Sequence, residues 1–297
     1  MNQDVLLLAV LVIGLIAVAH FTTIGGGITG GVLAPPNPKA EFGVIRRQES
    51  VVRGPSTSPP PGATTPPPVT PPPPPTPQQD VLARSFSLSA RNAKSRNINE
   101  EYIEIIYSPA KNAAPVDISD WMVGDSKGES YKLGGISILP GSSSFVNQDR
   151  LVLRGTSRIH VVTGRSPLGE NFRINKCAPY FSQYKTFTPR ISESCPVPSR
   201  ESGQDALSDT CYKYVKTLST CRIPTNIPLF LDNTCREYIT RTASYDACVK
   251  NHKNDADFYG DEYWVYLNRP EHIWSDVRDS IVLKDARGSV IKSISYQ

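Results

Sequence analysis

Between Asn99 and Tyr131 apolar and polar positions alternate with the period of β-structure. In Tyr102–Tyr107 the side chains of Ile103, Ile105 and Tyr107 fall on one face, with Tyr102 and Glu104 on the other. That is the pattern of a half-buried strand. Val116 and Ile118 keep the period after a Pro-containing turn. Trp121 and Val123 continue it one residue out of phase, which predicts a bulge or bend near Asp120. The pattern implies a mainly β chain, a sandwich built around Trp121. A first strand is expected around Leu82–Leu88, and others over Ser144–Leu153, Arg158–Val162 and Tyr263–Leu267. Ile281–Lys284 and Ser289–Tyr296 read as a hairpin, with Gly288 suited to the left-handed position of its turn.

One segment departs from this rhythm. Asp205–Leu218 and Asp232–Lys250 have helical spacing, and in the second Tyr238, Ile239, Tyr245 and Val249 can share a face with Cys235 and Cys248. Asp232 or Asn233 is a suitable N-cap, and Pro224 and Pro228 separate the two helices. A β domain over residues 80–297 is therefore expected to carry a helical insertion over residues 176–257. All six cysteines lie in that insertion: Cys177, Cys195, Cys211, Cys221, Cys235 and Cys248. An even number in one segment, in a chain with an apparent export segment, reads as a disulfide framework in an oxidising compartment. An antiparallel helical hairpin would pair Cys211 with Cys248 and Cys221 with Cys235, leaving Cys177–Cys195 to close a loop. Zinc is disfavoured, because there is no C-x2-C pair and His160, His252 and His272 are isolated.

The run EYIEIIYSP (Glu101–Pro109), followed by APVDISDWMVGDSKG (Ala114–Gly128), resembles the lamin-tail domain. The resemblance resumes at LPGSSSFVNQDRLVL (Leu139–Leu153) and at RDSIVLKDARGSVIKSISY (Arg278–Tyr296), and its specific part is VDISDW. It implies an immunoglobulin-like β-sandwich, into which the Cys-rich segment is an addition. Similar domains in bacteria are accessory modules of membrane-associated proteins or accompany exported nucleases and phosphatases. No companion catalytic domain is present here, so the resemblance implies the accessory module alone. It carries a fold and no ligand site.

Ahead of the domain, Val5–Ala19 is uninterrupted apolar sequence, within an anchor or signal segment over residues 1–24. Ala17-Val-Ala19 would suit cleavage, but no Lys or Arg precedes the run, which favours an uncleaved transmembrane anchor. The nearest cations, Lys39, Arg46 and Arg47, lie on its C-terminal side and would keep the domain cytoplasmic. The cysteines point to the extracytoplasmic side, and they outweigh charges so distant from the segment. Residues 25–79 read as a disordered Gly/Pro-rich linker. Pro55–Pro77 holds 13 prolines in 23 residues. As polyproline II at roughly 3.1 Å per residue it would span about 70 Å, a stalk that holds a domain off a bilayer.

Composition narrows the function. With 297 residues and 39% apolar content, one core with additions is expected. The net charge of +4 is mild, and the one basic cluster, Arg84, Arg91, Lys94 and Arg96, is sparse for a phosphate-tracking surface. Gly124-Asp-Ser-Lys-Gly128 matches G-x-S-x-G, but strand-like sequence follows where a nucleophile elbow needs a helix; a turn is the better reading. Asp255, Asp257, Asp261 and Glu262 hint at a calcium loop, but Tyr259 and Tyr266 occupy two ligand positions, so an acidic turn is expected. Trp121, Trp264 and Trp274 read as core residues. The expectation is a non-enzymatic, cofactor-free, membrane-anchored module that binds an envelope protein or glycan. A DNA-associating scaffold by analogy with lamins, and a hydrolase using Ser126, are the weaker alternatives.

Overall fold

The computed structural model describes residues 77–141 and 148–297. The expected anchor, the linker up to residue 76, and the start of the strand expected from Ser144 lie outside the described residues. The chain is mainly β and carries three disulfides. Its strands are β1 (Phe86–Ser89), β2 (Tyr102–Tyr107), β3 (Val116–Asp117), β4 (Met122–Gly124), β5 (Ser130–Lys132), β6 (Val152–Leu153), β7 (Ser157–Val162), β8 (Phe172–Asn175), β9 (Tyr259–Tyr266), β10 (Asp279–Lys284) and β11 (Val290–Tyr296). Its helices are α1 (Pro77–Arg84), α2 (Asp209–Val215), α3 (Asn233–Thr242) and α4 (Tyr245–His252). No helix among the described residues is long and apolar enough to cross a membrane.

Five strands form one sheet in the order β1-β2-β7-β9-β8, and four form a second in the order β11-β10-β4-β5; β3 and β6 make a separate two-stranded ladder. The two larger sheets enclose a common core. Ile103, Ile105, Ile159, Val161, Tyr263 and Val265 come from the first, and Val123, Ile281, Leu283 and Ile291 from the second. Trp121 is buried in this core, its ring 5.0 Å from that of Phe86.

The VDISDW motif makes a turn. Asp117 Oδ1 accepts from the amide and hydroxyl of Ser119, at 3.0 and 2.7 Å, and the Trp121 amide closes back on the Ile118 carbonyl. Ser119 Oγ accepts from the Leu151 amide, and Arg150 pairs with both Asp117 and Asp120. The expected change of phase at Asp120 is thus a crossing from the β3–β6 ladder to the four-stranded sheet.

The strand expected over Leu82–Leu88 is half helix. Pro77 opens α1, Asp80 lies in its first turn and Arg84 in its last, each matched to the helix dipole. Pairing begins only at Phe86, opposite Tyr107. Helix α1 also takes the last three residues assigned to the linker.

Strands β7 and β9 are parallel, which requires a long connection, and β8 and the helices α2–α4 lie in it. The second expected helix is two. Ala243 leaves helical geometry, and Ser244 starts α4 by accepting the Ala247 amide. This break redirects Cys248, and the cysteine pairing differs from the hairpin expectation. The bridges are Cys177–Cys248, Cys195–Cys221 and Cys211–Cys235. Helices α2 and α3 meet through their first turns. Ser208 caps α2 by accepting the Cys211 amide, Asp232 caps α3 by accepting the Cys235 amide, and the two caps lie 3.5 Å apart. A cysteine three residues after each cap is therefore brought to its counterpart.

Gly124 has the β4–β5 turn pressed against it: a Cβ there would lie 1.9 Å from the Glu129 carbonyl oxygen. Its own carbonyl accepts the Trp274 indole N–H. Gly124→Ala should destabilise the domain by about 1–3 kcal/mol through forced separation of the turn. Urea unfolding checks this; an unchanged midpoint would contradict the packing.

Candidate functional site

Glu101, just before β2, is fully buried. A carboxylate in that position needs a full set of donors. Its Oε1 accepts from the Thr163 hydroxyl at 2.7 Å, the Ile273 amide at 2.9 Å and the Trp274 amide at 3.2 Å, and its Oε2 accepts from Nδ1 of His272. Glu101 thereby fixes residues 272–274, the segment between β9 and β10. It also sets the imidazole tautomer: with the hydrogen on Nδ1, Nε2 is the ring's remaining polar atom.

A second buried carboxylate holds the far side. Asp279 Oδ1 accepts from the amides of Ser126 and Ser280, at 3.1 and 2.7 Å, and Oδ2 accepts from the Ser275 amide at 3.0 Å. Burial works to raise its pKa, but the hydrogen bonds from Ser126, Ser280 and Ser275 prevail and hold it below the usual carboxylate range. The β4–β5 turn and the 272–276 segment are tied together through this one side chain. Between them and the loop after β1 lies a cleft of about 400 Å³, walled by Ser95, Arg96, Lys127, His272, Ser275 and Asp276.

The basic cluster seen in sequence is divided. Arg91 pairs with Glu104 at 2.6 Å, Lys94 donates to the Gln297 carbonyl, and Arg96 reaches the cleft. Ser126 sits at the tip of the β4–β5 turn against Asp279, and among the described residues no histidine hydrogen-bonds to it. Trp121, Trp264 and Trp274 are all buried.

The acidic turn is spread over Lys176, Arg173 and His160. Lys176 Nζ lies 2.9 Å from Asp255 and 2.6 Å from Asp257, Arg173 reaches Asp261, and Glu262 meets His160 at 3.2 Å. Among the described residues no group of three or more His, Cys, Asp or Glu is arranged to hold a metal. All six cysteines are brought together in pairs.

Nothing local in the sequence marks Glu101 and His272 as partners, since 171 positions separate them. Only the packing of the two sheets makes them neighbours. Compared with known proteins, the chain matches no protein-family model, no curated protein and no solved structure.

Two histidines respond to pH with opposite signs. Burial lowers the His252 pKa, but hydrogen bonds to Asp255 and Glu201 outweigh it and leave the value raised. Its contribution to stability is complete below the unfolded value of about 6.5 and fades as pH rises through the folded one. Asp255, lowered chiefly by Lys176 and then by His252, contributes above the unfolded value of about 3.9 and fades in acid. His160 is buried beside Trp264, and burial lowers its pKa despite Glu262 and Glu104, so it costs stability as pH falls below about 6.5. The His252 part is isolated by difference. His252→Gln should cost more stability at pH 5.5 than at pH 8.5 by urea unfolding; an equal loss at both would contradict the network.

Proposed function

We propose that the chain is a membrane-anchored, non-catalytic binding module of the cell envelope, facing the extracytoplasmic side. In this reading residues 1–24 anchor it, the Pro-rich stretch is its stalk, and the β domain is a lamin-tail-like sandwich of immunoglobulin type. The observation that carries the reading is the complete pairing of the six cysteines, with no free thiol. Three disulfides in one segment are consistent with an oxidising compartment, and a reducing one would leave that segment with little to hold it. Its apolar residues are divided among small clusters: Val215, Leu231, Tyr238 and Ile239 pack with Cys211 and Cys235, and Tyr180 packs with Cys177 and Cys248.

Further support comes from the way VDISDW is used, as a turn that leads the chain between ladders around a buried Trp121. The anchor reading rests on the apolar run Val5–Ala19. A binding role fits the polar cleft beside His272, whose walls are loops on a rigid sandwich. The partner is an envelope protein or glycan.

The test is the thiol state and location of the full chain expressed in a bacterial host. Expected is protein in the membrane fraction, degraded by protease added outside the inner membrane, with no thiol alkylated before reduction and six after. Six thiols alkylated without reduction, or a protease-protected cytoplasmic domain, would overturn the reading.

A further inference from the structure

The cleft combines two kinds of group. Arg96 and Lys127 are exposed cations whose side chains meet no carboxylate among the described residues. They call for an anion. His272 offers the opposite chemistry. Its Nδ1 is committed to Glu101, which leaves Nε2 as the ring atom free for a hydroxyl. The exposed Asp276 carboxylate is a second acceptor, and the hydroxyls of Ser95 and Ser275 complete the wall. Acceptors call for hydroxyl donors. An inorganic anion would satisfy the cations alone, and a neutral sugar the acceptors alone.

One ligand class carries both groups at short spacing: a polyhydroxylated chain bearing acidic groups. The cleft volume of about 400 Å³ falls within the roughly 300–1,000 Å³ usual for small-ligand sites. Glu101 and Asp279 hold the backbone of residues 273–275 and of Ser126 from behind, so that part of the wall is set before a ligand arrives. Trp274, although it lines the cleft, is buried with its indole N–H on the Gly124 carbonyl, so its ring contributes support rather than a stacking face.

We propose that this cleft binds an acidic glycan or polyol polymer, with Arg96 and Lys127 on its carboxylate or phosphate groups and His272 Nε2 and Asp276 on its hydroxyls. The proposal rests on the binding-module reading and names the ligand class of that module.

Calorimetric titration of the oxidised full chain tests it, using four probes: oligogalacturonate, a glycerol-phosphate oligomer, a neutral gluco-oligosaccharide and inorganic phosphate. At least one acidic oligomer should bind about tenfold or more tightly than the neutral sugar and inorganic phosphate. Which oligomer binds distinguishes a carboxylate from a phosphate polymer. Arg96→Glu and Lys127→Glu should each weaken that binding about tenfold or more, and more at low salt than at high. Lys111→Glu, outside the cleft lining, should leave it unchanged. Both cleft substitutions are at exposed positions, and circular dichroism verifies that they fold. No binding of either acidic oligomer up to about 10 mM, binding that survives both cleft substitutions, or inorganic phosphate binding as tightly as the oligomers, would overturn the proposal. Exported, fully bridged protein that ignores all four probes would discard the ligand class and leave the binding-module reading standing.

Discussion

The five-stranded sheet has two apolar faces, and neither can be left in water. Along β9, Tyr263 and Val265 enter the core between the two larger sheets while Trp264 and Tyr266 point the other way, and all four are buried. Covering a large aromatic stabilises by about 4–6 kcal/mol, at roughly 25 cal/mol per Å² over 150–250 Å². The cover comes from the chain that follows β8. Asn175 Oδ1 accepts the amides of Cys177 and Ala178, which turns the chain over the sheet. Phe187 then packs edge-on to Phe172 with ring centroids 5.8 Å apart, and the Pro189 carbonyl accepts the Trp264 indole N–H. The Cys177–Cys248 bridge closes the loop from the start of this cover to α4, a sequence separation of 71. In the chain-entropy account a loop of that length stabilises by about 4 kcal/mol, comparable with the burial of one aromatic. The bridge and the cover therefore support one another, and β9 needs both.

The same economy of attachment explains the cleft. Two buried carboxylates, Glu101 and Asp279, use seven donors between them to fix three loops. Both are buried, and neither lies in the loops it holds: Glu101 immediately precedes β2 and Asp279 opens β10. A rigid scaffold presenting loosely paired surface groups is a common arrangement for recognition. The Cys-rich segment, by contrast, balances its charges internally: Lys176, Asp255, His252 and Glu201 form one chain of contacts.

Much of the architecture was legible in sequence because it is periodic. The strands at Tyr102–Tyr107, Ser157–Val162 and the closing hairpin follow from alternation, and Gly288 takes the positive φ its turn requires. Burial of Glu104 was not legible, since its face looked solvated; the covering layer arrives from far along the chain, while the partner of Glu104, Arg91, lies in the loop just before β2. The helix break at Ala243–Ser244 was hidden inside an apparently continuous helical pattern, and missing it misdirected Cys248. Cap-plus-three spacing, Ser208 to Cys211 and Asp232 to Cys235, was the signal that could have given the correct pair. For Glu101 with His272 the sequence holds no comparable mark, because the contact is made by tertiary closure alone.

The central claim is that the helical segment is stapled back to the sheet rather than folded on itself as a hairpin. Non-reducing proteolysis with mass mapping of the oxidised chain tests it most directly. The account predicts peptides joined as Cys177–Cys248, Cys195–Cys221 and Cys211–Cys235. Recovery of Cys211–Cys248 with Cys221–Cys235 would contradict it, since Cys177 would then be free of α4 and the cover over Trp264 would lose its covalent tie to the helices.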